Sequence, residues 1–557
     1  MSPFPSSQLQ LKNPLLSLLQ IRKKLSEILQ IHAQMITTNL ISDTFAASRL
    51  IVAVTSNAST MHYAELVFSQ IQQPHTFIWN SMIRGYVESD QYRRGFWFYT
   101  KMQRDAVNVD RYTYPFVLKA CGLMLGLREG REVHGEIVKR GFQLDVFVMN
   151  GLISMYCRCR DMVCAKRLFD GFIDRDLVSW NTMLGGYILE ENMDEAQKLF
   201  DEMPQRDLVS WTMMIDGYGK RLCYLSRARH LFNNLQRRDL VLWNSMVSAY
   251  ARNGDMVGAR ELFDEMAEKN VISWSIMIDG YARHGDPKEA LNLFRDMLSQ
   301  GIRADTVSVV GAIQACGKLG ALDQGRWIHV YMERKKITSD IVVQTALLDM
   351  YMKCGSLKEG RKLFDNMLQK NFVSWNVMIV GLGVNGLGKE ALELFSQMEE
   401  QSILIDELTL LGVLSACNHA GLVDEGLQIF DRMEEKYGIE PKVEHYSCLV
   451  DLLCRAGRIG EAMNMLESMP VKPDSVLWGS LLAACQANGN LDIARISFKR
   501  LVELKADDSG IYVLMSNIYA EKGMWRDVSK MRRLMNDRGM IKETGTSVVE
   551  VGGWRCS

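Results

Sequence analysis

The chain has 557 residues, of which 65 are basic and 66 acidic. Such a balance argues against a generic polyanion binder, whose affinity rests on many phosphate contacts, but leaves room for a reader of bases. No apolar run approaches the roughly 18–20 residues of a membrane span. The 12 cysteines include no CxxC pair, so neither a zinc ribbon nor a disulfide framework is indicated.

Residues 1–26 contain no acid and carry Lys12, Arg22, Lys23 and Lys24. Two readings stay open here and can overlap. One is an organelle presequence. The other is that 15–35 is already a repeat helix.

Further along, one phrase recurs. It reads DLVSWN at 176–181, DLVSWT at 207–212, DLVLWN at 239–244, NVISWS at 270–275 and NFVSWN at 371–376. The tryptophans supply a ruler: Trp180, Trp211, Trp243 and Trp274 are spaced by 31, 32 and 31. Trp79 to Trp180 is 101, as is Trp274 to Trp375, and each interval divides into two units of 35 and one of 31. A period of this size predicts one extended solenoid instead of several globular domains.

Each unit reads as two helices. In 177–207, Trp180, Met183, Leu184 and Tyr187 fall at i, i+3, i+4 and i+7, and Ala196, Leu199, Phe200 and Met203 repeat the spacing. The linkers carry turn residues, as in ARHGDPKEA, where Asp286 can cap, Pro287 suits the first helical position and Glu289 completes a capping box. One hairpin cannot bury both stripes alone. Stacked neighbours can, which predicts an all-α superhelix.

Three tempting motifs lose their meaning in this register. Gly381–Gly386 matches GxGxxG but lies where GYARHG lies in another unit, and a dinucleotide site needs a preceding strand. His134 and Glu136 match half of a zinc deaminase signature, but no PCxxC follows. His134 shares the twenty-fourth unit position with His329, where other units carry Phe, and reads as packing. Cys121, Cys316, Cys417 and Cys485 all occupy the eleventh position, taken elsewhere by Tyr187, Tyr218 and Tyr281. Spread over separate units, they read as small packing residues and not as a ligand set.

With each unit begun one residue after the D/N of the phrase, the second position is always apolar, from Phe77 to Leu408. The fifth varies among Asn, Ser and Thr in most units, and the last is mostly Asp, sometimes Asn. A base needs one or two donors and acceptors at its edge and apolar partners for its faces. One variable polar pair and one apolar residue per unit meet that need. Helix capping also explains these residue types, though not their paired variation.

The pattern resembles plant pentatricopeptide repeat proteins built from P, L and S units. The resemblance covers about His32 to Lys542 and rests on VSWN, EALELF, LDMYMKCG, SACNHAGLVDEG, VEHYSCLVDLL, WGSLLAAC and SNIYA. It implies an all-α, right-handed superhelical solenoid of stacked helix-turn-helix repeats. P-like units are 76–110, 271–305 and 372–406. L-like units are 111–145, 306–340 and 407–442. S-like units are 146–176, 177–207, 208–239, 240–270, 341–371 and 443–474. Residues 1–43 form an N-terminal segment, 44–474 the repeat array with a degenerate first unit at 44–75, 475–542 two extension motifs, and 543–557 a short tail.

By the family's pairing rules, Asn80/Asp110, Asn150/Asp176, Asn181/Asp207 and Asn376/Asp406 would face U or C. Thr212/Asp239, Ser275/Asp305 and Ser447/Asp474 would face G, Thr345/Asn371 A, and Asn244/Asn270 a pyrimidine. Pro115, Val310 and Leu411 leave the L-like units unread, and Ser48 with His75 lies outside the code. The resemblance implies a site-recognition factor for C-to-U editing of single-stranded organellar RNA, in the mitochondrion with the chloroplast as alternative. A deaminase-bearing partner would dock on 475–542, because the deaminase domain of full editing factors does not follow by Ser557. No catalytic residue, metal, cofactor, small-molecule substrate or membrane is expected. The competing functions are a splicing or stability factor and a protein-binding scaffold of the tetratricopeptide kind.

Overall fold

The computed structural model describes residues 14–19, 25–235, 237–504 and 509–537. The basic residues Lys12, Arg22, Lys23 and Lys24 and the tail 543–557 lie outside them. Within the N-terminal segment, Leu25–Thr37 is a helix that buries Ile28, Ile31 and Met35. Its His32 bonds Tyr63, 31 residues on, so this stretch packs as a repeat helix does.

Among the described residues the elements are helices and turns, with no strand. The chain divides into two compact units, Met1–Glu268 and Lys269–Ser557. In each, hairpins follow one another along the chain. The first helix of a hairpin packs on its own second helix and on the first helix of the next hairpin. Leu177–Leu189 with Met193–Glu202 is one such hairpin, and Phe372–Val384 with Gly388–Glu400 another.

The stripes predict the core, except that Trp180 is only half-buried, and with one shift. Met203 follows the end of its helix in an extended conformation, yet stays buried. In four of the five phrases the tryptophan meets a phenylalanine from the unit before. Trp180 stands edge-on to Phe169 at 5.0 Å, Trp211 to Phe200 at 4.9 Å, Trp243 to Phe232 at 4.8 Å and Trp375 to Phe364 at 5.2 Å. An arginine completes the seam. Arg206 lies over Phe200 and donates from Nε to Phe200 O and from Nη2 to Asp201 O, both at 2.8 Å. It thereby gives a donor to Asp201 O and a second one to Phe200 O, which also accepts from the Met203 amide at the end of Met193–Glu202.

The turn inside most hairpins shares one shape, the exceptions being 208–239, where Leu222 starts a 3-10 turn, and 271–305, where Gly285 has φ −111. The fifteenth residue takes a left-handed conformation in Asp90, Leu125, Arg160, Glu191, Gly254, Gly355 and Gly386. Asp286 and Pro287 take their expected places: Asp286 Oδ1 accepts from the Lys288 amide at 2.9 Å, with Pro287 at the first helical position.

The three discounted motifs are packing features. Gly381 and Gly383 lie inside Phe372–Val384, and a Cβ on Gly383 would meet Ala416 Cα at 2.5 Å, so the glycines mark a close helix crossing. His134 Nδ1 bonds the Tyr156 hydroxyl at 2.9 Å, and His329 meets Tyr351 in the same way at 2.8 Å. Cys121, Cys316, Cys417 and Cys485 are buried. Burial pushes the first three thiols up to about 12 and the last to about 11. Among the described residues no cluster of His, Cys, Asp or Glu could hold a metal ion.

Candidate nucleic-acid interface

The last residue of a unit is the N-cap of the next unit's first helix, except at Asp110, which lies two residues before the N-cap Tyr112 and accepts from the Tyr112 and Thr113 amides. Asp176 Oδ1 accepts from the Ser179 amide and hydroxyl, each at 2.8 Å. Ser179 Oγ accepts in return from the Asp176 amide, closing a capping box. Asp207 does the same with Ser210, Asp305 with Ser308 and Asp406 with Thr409. Capping therefore accounts for the last position. It does not account for the fifth, which lies inside the first helix, past the cap.

The fifth residue reaches across to that cap. Asn80 Nδ2 donates to Asp110 Oδ1 at 3.0 Å, Asn150 to Asp176 at 3.1 Å, and Asn181 to Asp207 and Asn376 to Asp406 at 3.3 Å each. Ser275 Oγ lies 2.8 Å from both Asp305 Oδ1 and Val271 O. The asparagine bonds end on the oxygen that already caps. In each of the four Asn/Asp pairs the asparagine Oδ1 is shielded from solvent and accepts no hydrogen bond. A buried amide carbonyl without a donor is costly, and a ligand N–H would relieve it.

Threonine behaves differently. Thr212 and Thr345 donate to carbonyls of their own helices, Leu208 O at 2.7 Å and Ile341 O at 2.6 Å. Among the described residues neither bonds its partner, Asp239 or Asn371, and Ser447 does not bond Asp474. Asp239 and Asp474 cap through the Leu242 and Leu477 amides, and Asn371 through that of Ser374. Asn244 is buried, and Asn270 caps Val271–His284.

Charge on the bridging caps is held firmly. Burial raises the Asp176, Asp207 and Asp406 carboxyls. The amide and hydroxyl of Ser179, Ser210 or Thr409 and the partner asparagine outweigh it, so all three lie below the usual aspartate value.

Two rows flank the polar pairs on the first helices. The second position, three residues before the fifth, is exposed throughout: Phe147 is 72 % exposed while Asn150 beside it is 9 %. Val178, Val209, Val241, Ile272, Val307, Val342 and Leu408 stand out likewise. The thirteenth position, which the phrase-based reading passed over, carries exposed Arg158, Lys220, Arg252, Arg283, Lys318, Lys353 and Arg455 in seven units, and Glu88, Leu123, Leu189, Val384 and His419 in the other five. Three of these pair with a carboxylate one turn back, Arg283 with Asp279, Lys353 with Asp349 and Arg455 with Asp451. Exposed pairs of this kind hold weakly and can be exchanged. The signal was present in the unit register as a recurring Lys/Arg. In the L-like units, Pro115, Val310 and Leu411 are half-buried and bring no polar group to the fifth position.

Stacked helical hairpins with a capped Asn/Asp pair between successive first helices define an all-α repeat solenoid. The PPR repeat family profile matches 74–122 and 269–318. PPR repeat profiles match 147–177, 178–208, 209–239, 241–271, 345–372, 373–403, 409–437 and 437–470, and the E motif matches 488–550. The chain is 47 % identical over 530 residues to the Arabidopsis thaliana pentatricopeptide repeat-containing protein At3g29230, covering 95 % of this chain and 88 % of that one. It is 33 % identical to At1g59720 of the same plant, named chloroplastic/mitochondrial, over 96 % of this chain and 72 % of that one. The crystal structure of the pentatricopeptide repeat protein PPR10 in complex with an 18-nt psaJ RNA element shares the fold, with a TM-score of 0.61 at 17 % identity, over 89 % of this chain and 85 % of that one. The chain belongs to the plant pentatricopeptide repeat family, in the subgroup that carries an E motif.

Proposed function

We propose that the chain is a sequence-specific binder of single-stranded RNA in a plant organelle. There it marks a cytidine for C-to-U editing, with the deaminase supplied in trans by a partner on 475–542. The observation that carries this reading is the row of Asn/Asp pairs with unused carbonyls, flanked by exposed apolar residues at the second position. A base seated between two such apolar side chains would offer its edge to the pair. An asparagine carbonyl and the second oxygen of the capping aspartate are acceptors, which suits the N–H of uracil or the amino group of cytosine. Asn80/Asp110, Asn150/Asp176, Asn181/Asp207 and Asn376/Asp406 take pyrimidines on this reading. Thr212/Asp239 and Ser447/Asp474, unbridged, leave more room and take G, and Thr345/Asn371 takes A. Ser275/Asp305 takes G although it is bridged, and Asn244/Asn270 takes a pyrimidine. The basic thirteenth-position row follows the phosphates.

The editing role rests on the E motif, and the organelle on names such as that of At1g59720. The mitochondrion is the first choice and the chloroplast the second. The chain is read as no enzyme itself: hydrolytic deamination needs a zinc-bound hydroxide and a proton-shuttling Glu, and His134 and the repeat cysteines are committed to packing.

The test is a gel shift with 5′-YNYYGYGNAYNG against a scrambled RNA of equal composition, where the designed RNA should bind more tightly. Equal affinity sinks the base-reading proposal. Purified protein with zinc should convert no C to U, and deleting 475–557 should keep binding while abolishing editing in the organelle. Editing by the pure protein would overturn the partner assignment.

A further inference from the structure

The L-like unit 407–442 has Leu411 at its fifth position and so lacks a reading pair. It carries another pair instead. Asn418 Nδ2 donates to Asp451 Oδ2 of the following unit at 2.8 Å. Asn418 is 9 % exposed, and its Oδ1 is shielded and accepts no hydrogen bond. This is the signature of the four Asn/Asp reading pairs: an amide nitrogen spent on a carboxylate of the next unit, and a buried carbonyl left over. Asn418 is seven residues beyond Leu411, two turns further along the same face of Glu407–Ala420 and roughly 10 Å away along its axis. The other L-like units have Gly122 and Gly317 at this place. A Cβ on either would lie 3.3 Å from a backbone atom, Met155 Cα or Met350 Cα. The unit 407–442 alone among the three L-like units holds an amide there.

The surroundings select the ligand. Arg455 Nε lies 3.0 Å from Asp451 Oδ2, and the arginine side chain is 56 % exposed. Arg455 belongs to the basic row assigned to phosphates above. A carbonyl acceptor beside a phosphate-binding guanidinium, two turns from the base row, meets sugar before it meets base. We propose that Asn418, Asp451 and Arg455 form a ribose–phosphate contact, with Asn418 Oδ1 accepting from a 2′-hydroxyl and Arg455 pairing with the adjoining phosphate. The unit would hold its nucleotide without reading the base, and would tell RNA from DNA at that step. A role only as a lock between units explains the bond to Asp451 but leaves the buried carbonyl unexplained.

This proposal rests on the RNA-binding reading, which assigns nucleotide 11 of 5′-YNYYGYGNAYNG to the unit 407–442 and nucleotide 8 to 306–340. The full chain is titrated with three RNAs: all-ribose, 2′-deoxy at nucleotide 11 only, and 2′-deoxy at nucleotide 8 only. Loss of one hydrogen bond should weaken binding roughly three- to tenfold for the first substitution, with no change for the second. Asn418→Ala should bind the all-ribose RNA as weakly as the wild type binds the 11-deoxy RNA, and should no longer separate the two. The wild-type comparison does not depend on the variant's folding, which is followed by its melting curve. Equal wild-type affinity for all three RNAs, with the designed sequence still preferred over a scrambled one, overturns the contact and leaves base reading intact. Discrimination that persists in Asn418→Ala overturns the assignment to this side chain. No preference for the designed sequence at all overturns both.

Discussion

At the scale of single residues, one carboxylate oxygen does two jobs. Asp207 Oδ1 receives the Ser210 amide and hydroxyl at 2.8 and 2.9 Å and the Asn181 amide at 3.3 Å, joining a helix start to a neighbouring unit's polar residue. The consequence for pH has a definite sign. The folded-state carboxyls of Asp176, Asp207 and Asp406 lie below the ordinary aspartate value of 3.8. Their contribution is complete above the unfolded value and is lost as pH falls through the folded one. Pyrimidine preference at these three units should thus stay constant from pH 8 to pH 5 in fluorescence titrations with single-base variants of the RNA. A midpoint between pH 5 and 6 would mean that the caps do not carry the preference. The turns supply a second expectation. Leu125 is left-handed at φ +55 and 69 % exposed, where other units place glycine. Leu125→Gly removes the clash of a Cβ in that conformation and should raise stability by about 0.5–1 kcal/mol, read by urea unfolding. A loss of stability of that size would show that the leucine's contacts outweigh the strain.

At the scale of the helix pair, the sequence carried a great deal. Trp180, Met183, Leu184 and Tyr187 mark one stripe and Ala196, Leu199 and Phe200 another, and both face the core because a period near 3.6 gathers them on one side. Less legible was which first-helix positions stand out. Hydropathy would bury Val178 and expose Asn150, whereas Val178 is exposed and Asn150 buried. The reason is helical phase: the second position turns away from the next first helix and the fifth turns into the seam with it. The pairing of fifth and last positions was visible as correlated variation, but the capping role of Asp207 or Asp406 appears only when Ser210 or Thr409 is seen to answer it. Asn418 escaped notice because it lies outside the repeated phrase. The unit 341–371 gives the direct test at this scale. Thr345 bonds Ile341 O and not Asn371. Thr345→Asn with Asn371→Asp would install the bridged pair seen at Asn376/Asp406 without touching the Leu347, Leu348 and Tyr351 packing. Preference at that nucleotide should move from A toward U, by about 1–3 kcal/mol if a matched base contact is worth what it is for other readers. Continued preference for A there would remove Thr345 and Asn371 from the interface.

At the scale of the whole chain, charge and specificity separate. The 65 basic and 66 acidic residues nearly cancel, so affinity cannot come from bulk charge and must come from where cations stand. Arg158, Lys220, Arg252, Arg283, Lys318, Lys353 and Arg455 recur at one unit position, eight residues beyond the fifth and on the exposed side of the first helices. On a single strand each phosphate neutralised contributes about −0.7 to the slope of log K against log salt. Arg158→Ala, Lys220→Ala and Arg252→Ala together should make that slope shallower by about 2. These three side chains are exposed, and Lys318, whose Nζ donates to Ala282 O and Arg283 O, is left in place, so melting should change little. The ranking of base preferences at the Asn/Asp and Thr/Asn units should also survive, because phosphate contacts position the strand and base contacts select it. Salt-dependent filter binding with the designed RNA and with one mismatched at an Asn/Asp unit measures both effects at once. An unchanged slope would place the phosphates elsewhere, and an unchanged slope with lost base preference would show that the thirteenth-position row serves the polar pairs and not the strand.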